Sequence, residues 1–206
     1  PGRAEKRPLG IPTMYDRALQ ALVKMAIEPQ WEAKFEPNSY GFRPGRSCHD
    51  AIEAIFNAIR HKAKWVLDAD ISKCFDKIDH AKLLDKLETF PAIRRQVRAW
   101  LNAGVIDAGQ LYPTDEGTPQ GGVISPLLAN IALHGMEESI KDLVERLPGK
   151  GSRTTRRKAV SLIRYADDFM IIHEDRDVIN KCRDHISDWL KGMGLELKEA
   201  KTNIVH

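Results

Sequence analysis

In the stretch Ser161-Leu-Ile-Arg-Tyr-Ala-Asp-Asp-Phe-Met-Ile-Ile-His173, an apolar, strand-like run enters two adjacent acids and a second apolar run leaves them. Strands favour β-branched and apolar residues, so Asp167 and Asp168 stand there at a cost in local stability. Adjacent carboxylates also repel unless a cation or water relieves them. One reading is a β-hairpin whose tip presents carboxylates to a hard divalent ion; the other is a solvated turn, where Asp is common. A second acid-bearing strand, Lys64-Trp-Val-Leu-Asp-Ala-Asp-Ile-Ser72, favours the first. With a period of two, Trp65, Leu67, Ala69 and Ile71 line one face, and Val66, Asp68, Asp70 and Ser72 the other. Phosphoryl transfer asks little covalent chemistry of a protein. It asks for two Mg²⁺ ions, one activating the attacking oxygen and one stabilising the leaving group. Carboxylates from neighbouring strands are a simple way to hold them.

Tyr165-Ala-Asp-Asp168, Asp70-Ile-Ser-Lys-Cys-Phe-Asp76 and Gly117-Thr-Pro-Gln-Gly-Gly-Val-Ile-Ser-Pro126 occur in the order and spacing of a reverse transcriptase, and the chain resembles the group II intron-encoded kind in particular. Arg7-Pro-Leu-Gly-Ile-Pro12, Tyr40-Gly-Phe-Arg-Pro-Gly-Arg-Ser47 and Lys201-Thr-Asn-Ile-Val-His206 are similar to that family too, so the resemblance covers nearly the whole chain. It implies template-directed addition of dNTPs to a primer 3′-OH, with two Mg²⁺ ions held by Asp70, Asp167 and Asp168, and Ile71 in the same metal set. It further implies that Arg7 contacts the triphosphate of the incoming nucleotide and that the backbone N–H groups of Lys73 and Cys74 cradle it. Phe75 would stand under the sugar and exclude a ribose 2′-OH. Gln120 and Gly121 would touch nucleotide and primer-template, and Tyr165 would belong to the nucleotide site. Lys201 matches a lysine proposed to protonate the leaving pyrophosphate.

Four of these residues also have a plainer reading. Arg7 suits a frayed terminus, Phe75 a core, Gln120 a polar loop and Lys201 a solvated surface. The family has Glu where this chain has Ala200. Asp68 shares the face of Asp70 and reads as supporting or structural, and Asp79 as an N-cap.

The elements that must position these residues follow from periodicity. Thr13 caps a helix running to about Ile27, with Leu19, Leu22, Val23 and Ala26 inward, and Pro29 and Pro37 bracket a loop. Ser47 starts a helix whose Ile52, Ile55, Phe56 and Ile59 read as core, with Asp50 as an acidic first-turn partner. A helix pair flanks Pro91, and 111–122 is a loop or short hairpin. Ser125-Pro126 opens a helix carrying Leu128, Ile131, Met136, Ile140 and Leu143. After the acid pair, Asp175 or Asp177 starts a helix with Ile179, Ile186 and Leu190 inward, Gly194 follows it, and short strands close the chain. The expected fold is α+β: an antiparallel palm sheet backed by helices, at 64–206, with a partial, mostly helical fingers region at 1–63 that returns near 85–122. By the resemblance, the chain begins inside the fingers and ends where a thumb would begin.

Net charge is only +3, so the location of charge matters more than its sum. Arg43 and Arg46 flank a Pro-Gly turn, suited to template phosphates or to a solvated loop. At 147–158 lies a basic insertion free of acids, with Lys150, Arg153, Arg156, Arg157 and Lys158. It lacks an apolar period and reads as mobile; such a cluster attracts phosphate, and in an intron-encoded enzyme it would grip structured RNA. The implied partners are group II intron RNA, an RNA template with a DNA primer, dNTPs and target DNA. No run approaches a membrane span and no secretory h-region opens the chain. The 3 cysteines lack paired spacing, so a reducing compartment, bacterial cytoplasm or organelle, is expected. Cys182 and His185 stand three apart, with no second ligand pair for zinc. Competing readings are a retron or CRISPR-associated reverse transcriptase, an RNA-templated RNA polymerase, which Phe75 argues against, and a maturase-like RNA-binding module without catalysis.

Overall fold

A computed structural model describes residues 10–107, 110–114, 116–118 and 121–206. In chain order the elements are α1 (Met14–Glu32), α2 (Cys48–Ile59), β1 (Trp65–Asp70), α3 (Cys74–Lys77), α4 (His80–Lys86), α5 (Pro91–Leu101), β2 (Val105–Asp107), β3 (Gln110–Tyr112), α6 (Ser125–Leu133), α7 (Met136–Arg146), α8 (Arg153–Ala159), β4 (Ser161–Tyr165), β5 (Asp168–His173), α9 (Arg176–Lys191), a 3-10 turn (Glu199–Lys201) and β6 (Asn203–Val205). They form two compact units. One combines α1 with Cys74–Ala132, the other Glu32–Lys73 with Leu133–His206.

The second unit is the expected antiparallel sheet backed by helices. Its strands run β4-β5-β1-β6, with β1 paired to β5 from Trp65↔His173 through Asp70↔Asp168. The period-two face of β1 is the buried one, with Leu67, Ala69 and Ile71 all but inaccessible. Against β1 and β5 packs α9, whose Ile179, Cys182, Ile186 and Leu190 recur at helical spacing and are sealed from solvent. The Asp175 carboxylate accepts from the Asp177 N–H and caps α9 as expected. On the β4 side lie α2, held by a reciprocal Ser47–Asp50 capping box, and α7.

Three expectations about helices are corrected. On α2, Ala51, Ala54, Ile55 and Ala58 face Tyr40, Ile163 and Ile172, while Ile52 and Phe56 are more than half exposed. Alanines permit the closer helix–strand approach, so the longer side chains turn outward. The helix expected from Ser125 past Met136 is broken, because Gly135 takes φ 95° and α7 starts afresh after it. The segment read as mobile contains α8, capped by Ser152. Arg156 donates to the Glu145 and Gly151 carbonyls, and Arg157 bridges Glu138, Asp142 and Glu145 along α7.

In the first unit, α1 buries Gln20, Val23, Ile27 and Trp31, while the expected Leu22 and Ala26 are exposed, and it runs through Pro29 instead of stopping there. Helices α4 and α5 pair through Leu83, Leu84 and Leu87 with Val97, Trp100 and Leu101 in the core. Asp79 caps α4 by accepting from the Lys82 N–H at 2.9 Å. The Gly- and Pro-rich stretch contributes β3 to a short hairpin with β2.

Candidate active site

Asp70 ends β1, and its register partner Asp168 begins β5. Tyr165 pairs with Asp168, so Ala166 and Asp167 form the hairpin turn between β4 and β5. Ala166 adopts φ 57°, a left-handed conformation that a non-glycine residue keeps only when its surroundings impose it. They do so here. Arg164, 1% exposed, donates from one Nη to the Ala166 carbonyl at 2.9 Å and from the other to Ser39 Oγ at 2.6 Å. The 38–41 segment runs behind the turn: Arg164 N donates to Asn38 O, and Tyr40 N to Arg164 O, both at 2.9 Å. Gly41 lets it approach, since a Cβ there would lie 2.3 Å from Ala166 N. On the other side, Ile71 N donates to the Asp167 carbonyl at 3.2 Å.

These contacts bring Asp70, Ile71, Asp167 and Asp168 to one end of the sheet. A cleft of about 310 Å³ opens there, lined by Asp68, Ala69, Asp70, Asp168, Ala200, Lys201 and Asn203. Burial, then the charges of Asp70 and Asp167, push the Asp168 carboxyl above its ordinary range, with Lys201 opposing. Lys201 Nζ donates to Asp70 Oδ2 at 2.6 Å, and Lys198 Nζ stands 3.9 Å from the same oxygen. Lys201 is therefore on the acid cluster, not simply solvated. Among the described residues no three His, Cys, Asp or Glu side chains converge closely enough to hold a metal by themselves. The donor chemistry fits a hard divalent cation nonetheless: crowded, mutually repelling carboxylates are what such a cation relieves.

Downstream, past Ile71 and Ser72 from the end of β1, Lys73 also takes a left-handed φ of 45°. In the first unit, Cys74 is buried and Phe75 half-buried at the start of α3. The backbone of Gly117-Thr118 clasps this turn. Thr118 N donates to Phe75 O at 2.5 Å, Gly117 N to Ile78 O at 2.8 Å, and a Cβ on Gly117 would lie 2.5 Å from the Asp76 carbonyl carbon. The motif carrying Phe75 and the motif carrying Gly121 thus share one anchorage. Gly121 takes φ 103°, the freedom its sequence context called for. Tyr165 is partly exposed on the hairpin. Arg7 and Gln120 lie outside the described residues.

The arginines expected at phosphates divide. Arg43 is buried, forks onto the Glu32 carboxylate and donates to the Glu36 and Ser39 carbonyls, so it orders its own loop. Arg46 lies over the Tyr40 ring, 5.3 Å from its centroid and within cation–π reach, and donates to Pro37 O. Arg156 and Arg157 are spent on α7, whereas Lys150, Arg153 and Lys158 are exposed. Cys182 is buried, its thiol pushed up to about 12, and His185 Nε2 lies 2.7 Å from Ser139 Oγ. Arg164, Ser39 and Lys198 carried no expected role, and Gly41 stood inside the 40–47 motif without one. The one local signal was Arg164 itself, a lone charge inside an apolar strand.

Over residues 1–206 the chain matches the family model described as "Reverse transcriptase (RNA-dependent DNA polymerase)". It is 35% identical to protein YkfC of Escherichia coli (strain K12), across 97% of this chain and 60% of that protein. It is 32% identical to the group II intron-encoded protein LtrA of Lactococcus lactis subsp. cremoris, across 97% of this chain and 42% of that protein. The chain therefore spans between about two fifths and three fifths of these relatives' lengths. Among solved structures, telomerase from Candida tropicalis in complex with the TWJ fragment of telomeric RNA aligns with a TM-score of 0.69 at 16% identity, covering 93% of this chain and 34% of that one; the likeness is one of fold.

Proposed function

The chain belongs to the reverse transcriptase family, and from that premise we propose that it is the polymerase core of a group II intron-encoded, RNA-directed DNA polymerase, acting in the bacterial cytoplasm or an organelle. The observation that carries this reading is the placement of Asp70, Asp167 and Asp168 at one end of β1 and β5, with the Ala166 turn braced from behind.

Asp70, Asp167 and Asp168 would hold two Mg²⁺ ions, which supply activation of the primer 3′-hydroxyl and neutralisation of the leaving pyrophosphate. The residues of the chain do the rest. The β1–β5 register fixes Asp70 against Asp168, and the Ile71 N–H fixes the Asp167 main chain. Backbone N–H groups at Lys73 and Cys74 suit a triphosphate, and Phe75 would exclude the 2′-hydroxyl of a ribonucleotide. Gly121 would admit close backbone approach beside Gln120, and Arg7 would meet the triphosphate. Lys201 would stand by the leaving group. The template, primer, intron RNA and target DNA are the partners this chemistry requires, and splicing and mobility of the intron the wider role that follows from them.

Primer extension on an RNA template by the full-length protein tests the reading. Extension with dNTPs and not rNTPs is expected, with rNTP use rising on the order of tenfold or more in Phe75→Ala, as a pocket that rejects by size is relaxed. No extension with tight intron RNA binding retained would replace the reading with a maturase-like module.

Exposed cations on the insertion give a separate test. Replacing Lys150, Arg153 and Lys158 by Ser should reduce the salt slope of RNA binding by about 2, at roughly 0.7 per phosphate contact on single strands. The fold should be untouched, because Arg156 and Arg157 still hold α8 on α7. An unchanged slope would remove the insertion from the RNA-binding surface.

A further inference from the structure

Lys198 and Lys201 both reach the same Asp70 oxygen from one short segment, and that segment is fastened to the strand carrying Asp70. Ser72 N donates to Glu196 O at 2.8 Å, Leu197 bridges Ile71, and Lys198 N donates to Asp70 O at 2.8 Å. Lys201 N in turn donates to Lys198 O at 2.9 Å, closing the 3-10 turn. The backbone therefore fixes the distance between the acid and the origin of each lysine side chain. The partners differ in freedom. The Asp70 side chain is 11% exposed, whereas that of Lys201 is 47% exposed and can swing through the cleft it lines.

A poorly hydrated carboxylate beside other acids needs a cation, and the Lys201 ammonium supplies one. The same oxygen cannot keep an ammonium at 2.6 Å and also ligate a divalent metal, because the two cations would repel at contact range. We propose that Lys201 is the resident counter-cation of Asp70 and exchanges with divalent metal: metal entry at Asp70 expels the ammonium, which stays tethered at the cleft wall. The exchange rests on the polymerase reading of Asp70. It makes Lys201 a positioning residue, holding the acid in place before metal arrives and releasing its amine toward an anionic group only once metal is bound. Lys198, farther from the oxygen, provides residual charge compensation throughout.

Mn²⁺ titration of the nucleotide-free, full-length protein, followed by the electron paramagnetic resonance signal of unbound Mn²⁺, reads the exchange without any reaction. Lys201→Gln should tighten Mn²⁺ binding on the order of tenfold, the effect of deleting one unit charge a few ångströms away. Lys198→Gln should tighten it less, and Lys201→Arg, which keeps the charge, should not tighten it. In parallel, Mg²⁺ should raise acylation of Lys201 by an amine-reactive ester several-fold, and Asp70→Asn should raise it without Mg²⁺. Mn²⁺ binding that ignores Asp70→Asn would overturn the metal assignment itself. Asp70-dependent binding with unaltered affinity in Lys201→Gln, or Lys201 acylation indifferent to Mg²⁺, would overturn the exchange alone.

Discussion

Asp167→Asn is expected to lower primer extension by about three orders of magnitude or more, the scale set by removing a preorganised charge from a reacting site. The fold should survive. Asp167 is half-buried in the hairpin turn, and its tie to β1 runs through its main-chain carbonyl, which Asn keeps. Asn also suits turn positions. Deleting this charge should lighten the repulsion on Asp168, whose carboxyl is raised first by burial and then by Asp70 and Asp167. The sign follows. In the parent protein the folded state holds the Asp168 proton at pH values where the unfolded chain has released it, so Asp168's contribution to stability falls as pH rises from the ordinary carboxylate range through the raised value. In Asp167→Asn that fall should be smaller. Extension assays with thermal melts across the carboxylate range check both halves. Parental extension by the variant would refute the assignment, and a lowered melting point would mean that structure was lost along with chemistry.

The carboxylates were legible because acids interrupt apolar alternation, and alternation is local. Period-two reading put Leu67, Ala69 and Ile71 on the buried face and Asp70 on the other, and the register to Asp168 follows once the hairpin closes. Caps were legible for the same reason: Ser47, Asp79 and Asp175 act within their own first turns. What stayed hidden depends on partners far along the chain. Arg156 and Arg157 look like loose RNA ligands until α7 supplies Glu138, Asp142 and the Glu145 carbonyl. Arg43 looks like a loop cation until Glu32 and two carbonyls absorb it. The apolar spacing of Ile52 and Phe56 marked a helix correctly but not its inner side, because small alanines decide which face can come close. Lys198 and Lys201 reach Asp70 only because the 196–201 segment folds back along β1.

Arg164 is another such case, since its partner Ser39 lies 125 residues away. Replacing it with Met should cost about 3–5 kcal/mol of stability, the range for removing one member of a buried charged network. Two groups lose their donors: the Ala166 carbonyl, which keeps the left-handed turn in place, and Ser39 Oγ. Burial of Glu36 adds to the cost, because the Arg164 charge is among the influences that hold its raised carboxyl down. Lys at this position keeps the charge without the planar fork, so Arg164→Lys should recover part of the stability and less of the geometry. Urea denaturation gives the first quantity. The second appears in extension at temperatures where each variant is folded, as a fall in kcat larger than any rise in KM, because the turn carries Asp167 and not a substrate-binding side chain alone. Gly41→Ala should produce the same kinetic pattern with Arg164 intact, since its Cβ would press on Ala166 N. A double substitution of Arg164 and Ser39 should cost less than the sum of the single ones, because both singles break the same contact. Strict additivity, or full kcat in a folded Arg164→Met protein, would show that the turn holds its shape without this brace.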